Sequence, residues 1–250
     1  MTAALDKIGF GIAHVVLPAG FGRLPEITLE DDWTNLHVGE LQANARRWAE
    51  DFRRAMDRRL TKVPVIVGLD AGVKWPGCEP CGAVQTLAVI GCRGLEALGW
   101  KSLPASGEYL VAGGDGNRIP PGLVERNDVF VDFNAGRALL LVCQDGIAFG
   151  TARKKPRASS RSGQVRAEFR SLLEKQRPTW AFNAIHKLPL AAGGRIPSSL
   201  TNSHRALTTR GIEVVSVAGL NSAEHLGACF DRVRKRLHCT TPHVDVLLSE

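Results

Sequence analysis

No apolar run in this 250-residue chain approaches the length of a bilayer span. The longest, such as Ala138 to Cys143, fall far short of the roughly 20 residues that a membrane helix needs. A membrane protein is therefore not expected. The N-terminus carries Asp6 and Lys7 ahead of a short apolar stretch. It lacks the basic start, long apolar middle and small-residue cleavage site of a secretion signal. No repeat of fixed period is present, which removes solenoids and propellers. Cysteine is sparse: six residues, at 78, 81, 92, 143, 229 and 239. That is not a disulfide scaffold, and a reducing, cytoplasmic setting with thiols is the expectation.

What is present suits a folded core. Hydrophobic residues make up 44% and charged residues 23%, so the chain has enough apolar surface to exclude whole-chain disorder. The net charge of +7 permits anionic partners without demonstrating them.

Short apolar runs alternate with helical patterns. Ile12 to Leu17 reads as a strand ending at the turn Pro18-Ala19-Gly20, and residues 21–38 read as loop. Helical spacing of Leu41, Ala45, Trp48, Ala49, Phe52, Ala55, Met56 and Leu60 predicts a helix over Gly39 to Leu60. Strands follow at Val65 to Leu69 and Val84 to Ile90, with a Gly/Pro-rich loop at 70–82 between them. Residues 99–128 show no strong periodicity. Val129 to Phe133 and Ala138 to Cys143 read as a hairpin around Asn134-Ala135-Gly136. Helices are expected at Val165 to Lys175, Leu200 to Arg210 and 223–237. Strands are expected at Trp180 to Ile185, Ile212 to Ala218 and 244–248. Strand–helix alternation over the whole length argues for a single α/β domain, residues 1–250.

Several residues carry chemistry that local pattern leaves open. Cys143 ends the apolar run Ala138 to Val142 and is followed at once by Gln144-Asp145-Gly146. A thiol at the C-terminal edge of a buried strand sits where open α/β sheets place ligands. A turn starting there offers N–H groups that favour a thiolate and hold an oxyanion. The plain alternative is a small buried hydrophobe. Lys101, in Gly99-Trp100-Lys101-Ser102-Leu103, is by default a solvated surface cation, and Glu108 a surface carboxylate. Cys78-Glu79-Pro80-Cys81 has the spacing of half a zinc site, but no second such pair follows, so no metal is expected. Arg153-Lys154-Lys155-Pro156-Arg157, with Arg161 and Arg166, forms a basic run free of acidic residues. It suits an anionic ligand or phosphates. No aromatic residue interleaves it, so nucleic acid is not the favoured partner.

Three segments in register resemble the nitrilase, or carbon–nitrogen hydrolase, superfamily. Leu139-Leu140-Leu141-Val142-Cys143-Gln144-Asp145 is similar to that family's strand ending in Cys-x-Asp. Trp100-Lys101-Ser102-Leu103-Pro104 with Gly107-Glu108-Tyr109 is similar to its Lys-x-x-Leu segment with a following Glu. Val15-Val16-Leu17-Pro18-Ala19 is similar to its strand ending in Pro-Glu. The order and spacing agree from about residue 12 to 220. The family's first strand and most of its first helix have no counterpart before Ile12, and the last 30 residues diverge.

The resemblance implies a four-layer α-β-β-α sandwich whose members commonly pair into dimers. It implies a cofactor-free hydrolase acting on a small amide or nitrile. Cys143 would be the nucleophile, forming a thioester. Lys101 would stabilise the oxyanion and Glu108 would position Lys101 and the substrate. Gln144 and His186 would contact substrate. One departure stands out: Ala19 occupies the place of the family's general-base Glu. Glu108, Glu26, Asp70 and His186 are the substitutes in chain reach. The other expectations are a binding module on the same fold without turnover, and an anion binder using Arg153 to Arg166.

Overall fold

The computed structural model describes residues 14–28, 35–56, 62–74, 83–103, 129–150, 160–185 and 198–218. They form a mixed α/β structure with two sheets and three helices.

The first sheet is built on β3 (Val65–Lys74), whose β-branched residues favour extended backbone. One edge of β3 pairs in parallel with β1 (Val15–Val16) and then with β2 (Gly22–Thr28). The other edge pairs antiparallel with β4 (Ala83–Gly91), which pairs antiparallel with β5 (Gly94–Trp100). The second sheet runs β6 (Phe130–Phe133), β7 (Gly136–Val142), β8 (Trp180–Ile185), β9 (Glu213–Ala218). Its first pair is the expected hairpin, closed by the two residues Asn134-Ala135, with Gly136 at φ +122. Its other pairs are parallel. Helix α1 spans Asn35–Ala55, α2 Arg161–Gln176 and α3 Ser198–Thr208. The Ser160 hydroxyl caps α2 by accepting the Gly163 N–H at 3.2 Å.

Side-chain alternation divides the central strands between two cores. On β3, Val65, Val67, Leu69 and Ala71 join Leu41, Ala45 and Ala49 of α1. Ile66 faces the other way, into a cluster with Leu87 and Val89 of β4, Leu140 and Val142 of β7, and Phe182 of β8. This cluster draws on both sheets. Leu139 and Leu141 of β7 turn away from it and pack with Val165, Phe169 and Leu173 of α2 and Leu207 of α3.

Several segments differ from the sequence reading. Residues 22–28, read as loop, form β2. Pro25 lies where the pairing register shifts between Leu24 and Ile27, so its missing N–H interrupts a bulge rather than a ladder. β3 continues to Lys74 through residues read as loop, because β2 and β4 flank it there. β5 has no extended signature in Gly-Leu-Glu-Ala-Leu-Gly-Trp and exists through its pairing with β4. The first helix begins four residues before the expected Gly39. The expected elements at 223–237 and 244–248 lie outside the described residues. Among the described residues, no helix is long and apolar enough to cross a membrane.

Candidate functional site

Cys143 stands where β7 ends and a short 3-10 helix, Cys143–Ile147, begins. Its φ is +51, a left-handed conformation that a non-glycine residue adopts at a cost of about 1 kcal/mol. The run of buried residues from Ala138 to Val142 fixes β7, so the strain falls on the turn residue. Cys143 is half-buried and packs against the cluster shared by the two sheets. Gln144 beside it is also half-buried.

Lys101 departs from the surface default. It is only 2% exposed and follows β5 directly. Its backbone N–H donates to Gln85 O at 2.9 Å, and its Nζ donates to Gln85 Oε1 at 2.9 Å. Gln85 therefore holds both ends of the lysine.

Asp145 ties these two places together. It is fully buried, two residues after Cys143. The Ser102 N–H donates to both its carboxyl oxygens at 3.0 Å, and the Leu103 N–H donates to Oδ1 at 2.6 Å. One carboxyl thus joins the segment after the lysine to the turn after the cysteine, across the two sheets. Desolvation pushes its pKa from 3.8 up to about 7, against backbone hydrogen bonds from Ser102, Leu103 and Val142 and the attraction of Lys101.

That shift carries a signed prediction. The unfolded chain releases this proton near 3.8, so between about pH 4 and 7 the folded chain binds more protons than the unfolded one. The associated stability is complete below the unfolded pKa and is lost as pH rises through about 7. Chemical unfolding of wild type and Asp145→Asn from pH 4 to 8 should show the wild type losing ground to the neutral variant, by at most about 4 kcal/mol. A pH-independent difference would refute this.

The turn is locked from two further sides. Arg166, in the basic run, points inward: its Nη1 donates to Ile147 O at 2.8 Å and Ala148 O at 3.2 Å. Gly146 lies against the buried amide of Asn183, where an added Cβ would come within 2.0 Å of Nδ2.

Ala19 is buried in the same inter-sheet cluster as Cys143. The structure therefore brings Cys143, Gln144, Lys101 and Ala19 to the ends of strands in two facing sheets. Glu108, His186, Cys78, Cys81 and Arg153 to Arg157 lie outside the described residues. Sequence reading gave no role to Gln85 or to Asp145. Gln85 gave no signal within an apolar strand, whereas Asp145 was visible as the last residue of Cys-x-Asp. Among the described residues, no group of three or more His, Cys, Asp and Glu is placed to hold a metal ion. No protein-family model and no curated protein matches this chain.

Proposed function

We propose that the chain is a divergent carbon–nitrogen hydrolase that attacks an amide- or nitrile-type carbon through Cys143. The observation that carries this reading is the Asp145 tie, which holds a left-handed strand-end cysteine and a buried lysine in one fixed unit. The layering supports it. Helix α1, the first sheet, the second sheet, and α2 with α3 share three successive apolar clusters, the order that a four-layer α-β-β-α sandwich requires. In this mechanism the thiolate adds to the substrate carbon, Lys101 steadies the oxyanion, and the departing amine leaves a thioester for water to cleave.

Site-resolved alkylation against pH tests the reading without a known substrate. Cys143 should label fastest, with an apparent pKa below the ordinary thiol value of about 8.5. Exposed Cys92 is the internal reference. A Cys143 that labels no faster than Cys92 would overturn the proposal.

A second reading, a binding module without turnover, is favoured by one observation: a methyl group at position 19 takes no proton. Under it, hydrolysis would emerge only in Ala19→Glu.

A further inference from the structure

The position that lacks a carboxylate is bordered by one that has it. Gly68 on β3 is pressed against Ala19: a Cβ built there would stand 2.2 Å from Ala19 Cα. Two residues along the same strand, and so on the same face, is Asp70. Ile66 of that face belongs to the inter-sheet cluster against which Cys143 packs. Asp70 is half-buried and lies directly opposite Gln85 in the β3–β4 register. Directly opposed residues share a face, with Cβ atoms about 4.5–5.5 Å apart. Gln85 in turn accepts from Lys101 Nζ. Asp70, Gln85 and Lys101 thus form a row across β3, β4 and the segment that follows β5, at the end of the sheet that Asp145 ties to Cys143.

We propose that Asp70 is the general base of this site, supplying the carboxylate that Ala19 does not. The proposal rests on the carbon–nitrogen hydrolase reading and assigns its missing part. Asp70 takes the Cys143 thiol proton, and the thiolate sulfur then bonds to the substrate carbon as the carbonyl electron pair moves onto oxygen beside Lys101. It gives that proton to the amine as the carbon–nitrogen bond breaks. It then takes a proton from water as the water oxygen adds to the thioester. When the tetrahedral species collapses, Cys143 leaves and recovers the proton. No oxidant or second reactant beyond water is needed.

Glu26 is the competing carboxylate. Its Cγ and Oε2 lie 3.4 Å from where a Cβ at Gly72 would stand, one step farther along the same face. It is exposed and lies off the Gln85–Lys101 row.

p-Nitrophenyl acetate separates the two and needs no natural substrate. Its leaving group departs without a proton, so acetylation of Cys143 needs no acid, and above the ordinary thiol pKa of about 8.5 it needs no base either, while clearance of the acetyl group still requires an activated water. In the full-length chain, peptide mass spectrometry should find acetyl-Cys143 forming and clearing, and no such adduct in Cys143→Ala. At about pH 9, where the thiol ionises without help, Asp70→Asn should keep the nitrophenolate burst but clear the acetyl group about 10²–10⁴-fold more slowly. Asp70→Glu should clear faster than Asp70→Asn, and Glu26→Gln should clear at the wild-type rate. A purely structural role for Asp70 would remove the burst together with clearance even at about pH 9, and overturns the assignment. So does wild-type clearance in Asp70→Asn, equal clearance in the Asn and Glu variants, or trapping by Glu26→Gln instead. A wild-type chain that never acetylates Cys143 overturns both this assignment and the hydrolase reading; the other failures leave that reading standing.

Discussion

Replacing Asp145 with alanine is expected to cost about 4 kcal/mol at pH 5, below the titration of the folded carboxyl. Two buried backbone N–H groups, of Ser102 and Leu103, lose their acceptor. Each unpaired group costs roughly 1–3 kcal/mol, and the cavity adds to that. Asparagine keeps one acceptor oxygen and matches the protonated acid, so Asp145→Asn should cost only about 1 kcal/mol there. For a chain of this size the alanine variant should melt roughly 10 °C lower. The site should respond more than the fold. With the tie gone, the segment after Lys101 is released from the turn after Cys143, and labelling of Cys143 should slow while that of Cys92 does not. Thermal unfolding together with cysteine-resolved alkylation reads both. An alanine variant within about 1 kcal/mol of wild type would mean that the tie is not a structural element.

How much of this was legible in the sequence depends on where the information resides. The strands of the second sheet were readable because β7 and β8 are buried on both faces, as parallel strands are, and spell near-continuous apolar runs. Helix α1 was readable from its 3.6-residue period. β2 and β5 were not, because their sequences are locally indifferent and only their neighbours hold them extended. The same division runs through the site. Cys143 was marked by the abrupt change from Val142 to Gln144-Asp145, which the left-handed turn explains. Lys101 was a lone lysine whose burial arises from Gln85, a residue 16 positions away and on a different strand. No local pattern encodes that. The row Asp70–Gln85–Lys101 is a product of strand register: Asp70 was one of four substitute bases in chain reach, but a loop assigned at 70–82 gave it no pairing with Gln85.

Gly68→Ala tests whether the site end of the first sheet is as tightly set as its register implies. An added Cβ would meet Ala19 Cα at 2.2 Å, Pro18 O at 2.6 Å and Ala19 N at 2.8 Å. All three are backbone atoms, so no rotamer change relieves the contact. Either β1 with its turn moves away from β3, or β3 moves into the inter-sheet cluster. Overpacking of this kind costs about 1–3 kcal/mol, and backbone contacts this close place the expected cost near the upper end, about 3 kcal/mol. Gly39→Ala in α1 is the matched control, since nothing lies within 4 Å of its added Cβ. There the change should stabilise by about 0.5–1 kcal/mol through helix propensity alone. Opposite signs for the same chemical substitution, read by denaturant unfolding, would locate the constraint at the Ala19 contact. Because Ala19 and Cys143 belong to one cluster, the Gly68 variant should also change the labelling rate of Cys143, while the Gly39 variant should not. A Gly68→Ala chain as stable as wild type, with unchanged Cys143 labelling, would show that the turn at Ala19 yields freely and that the close fit at this end of the sheet does not constrain the site.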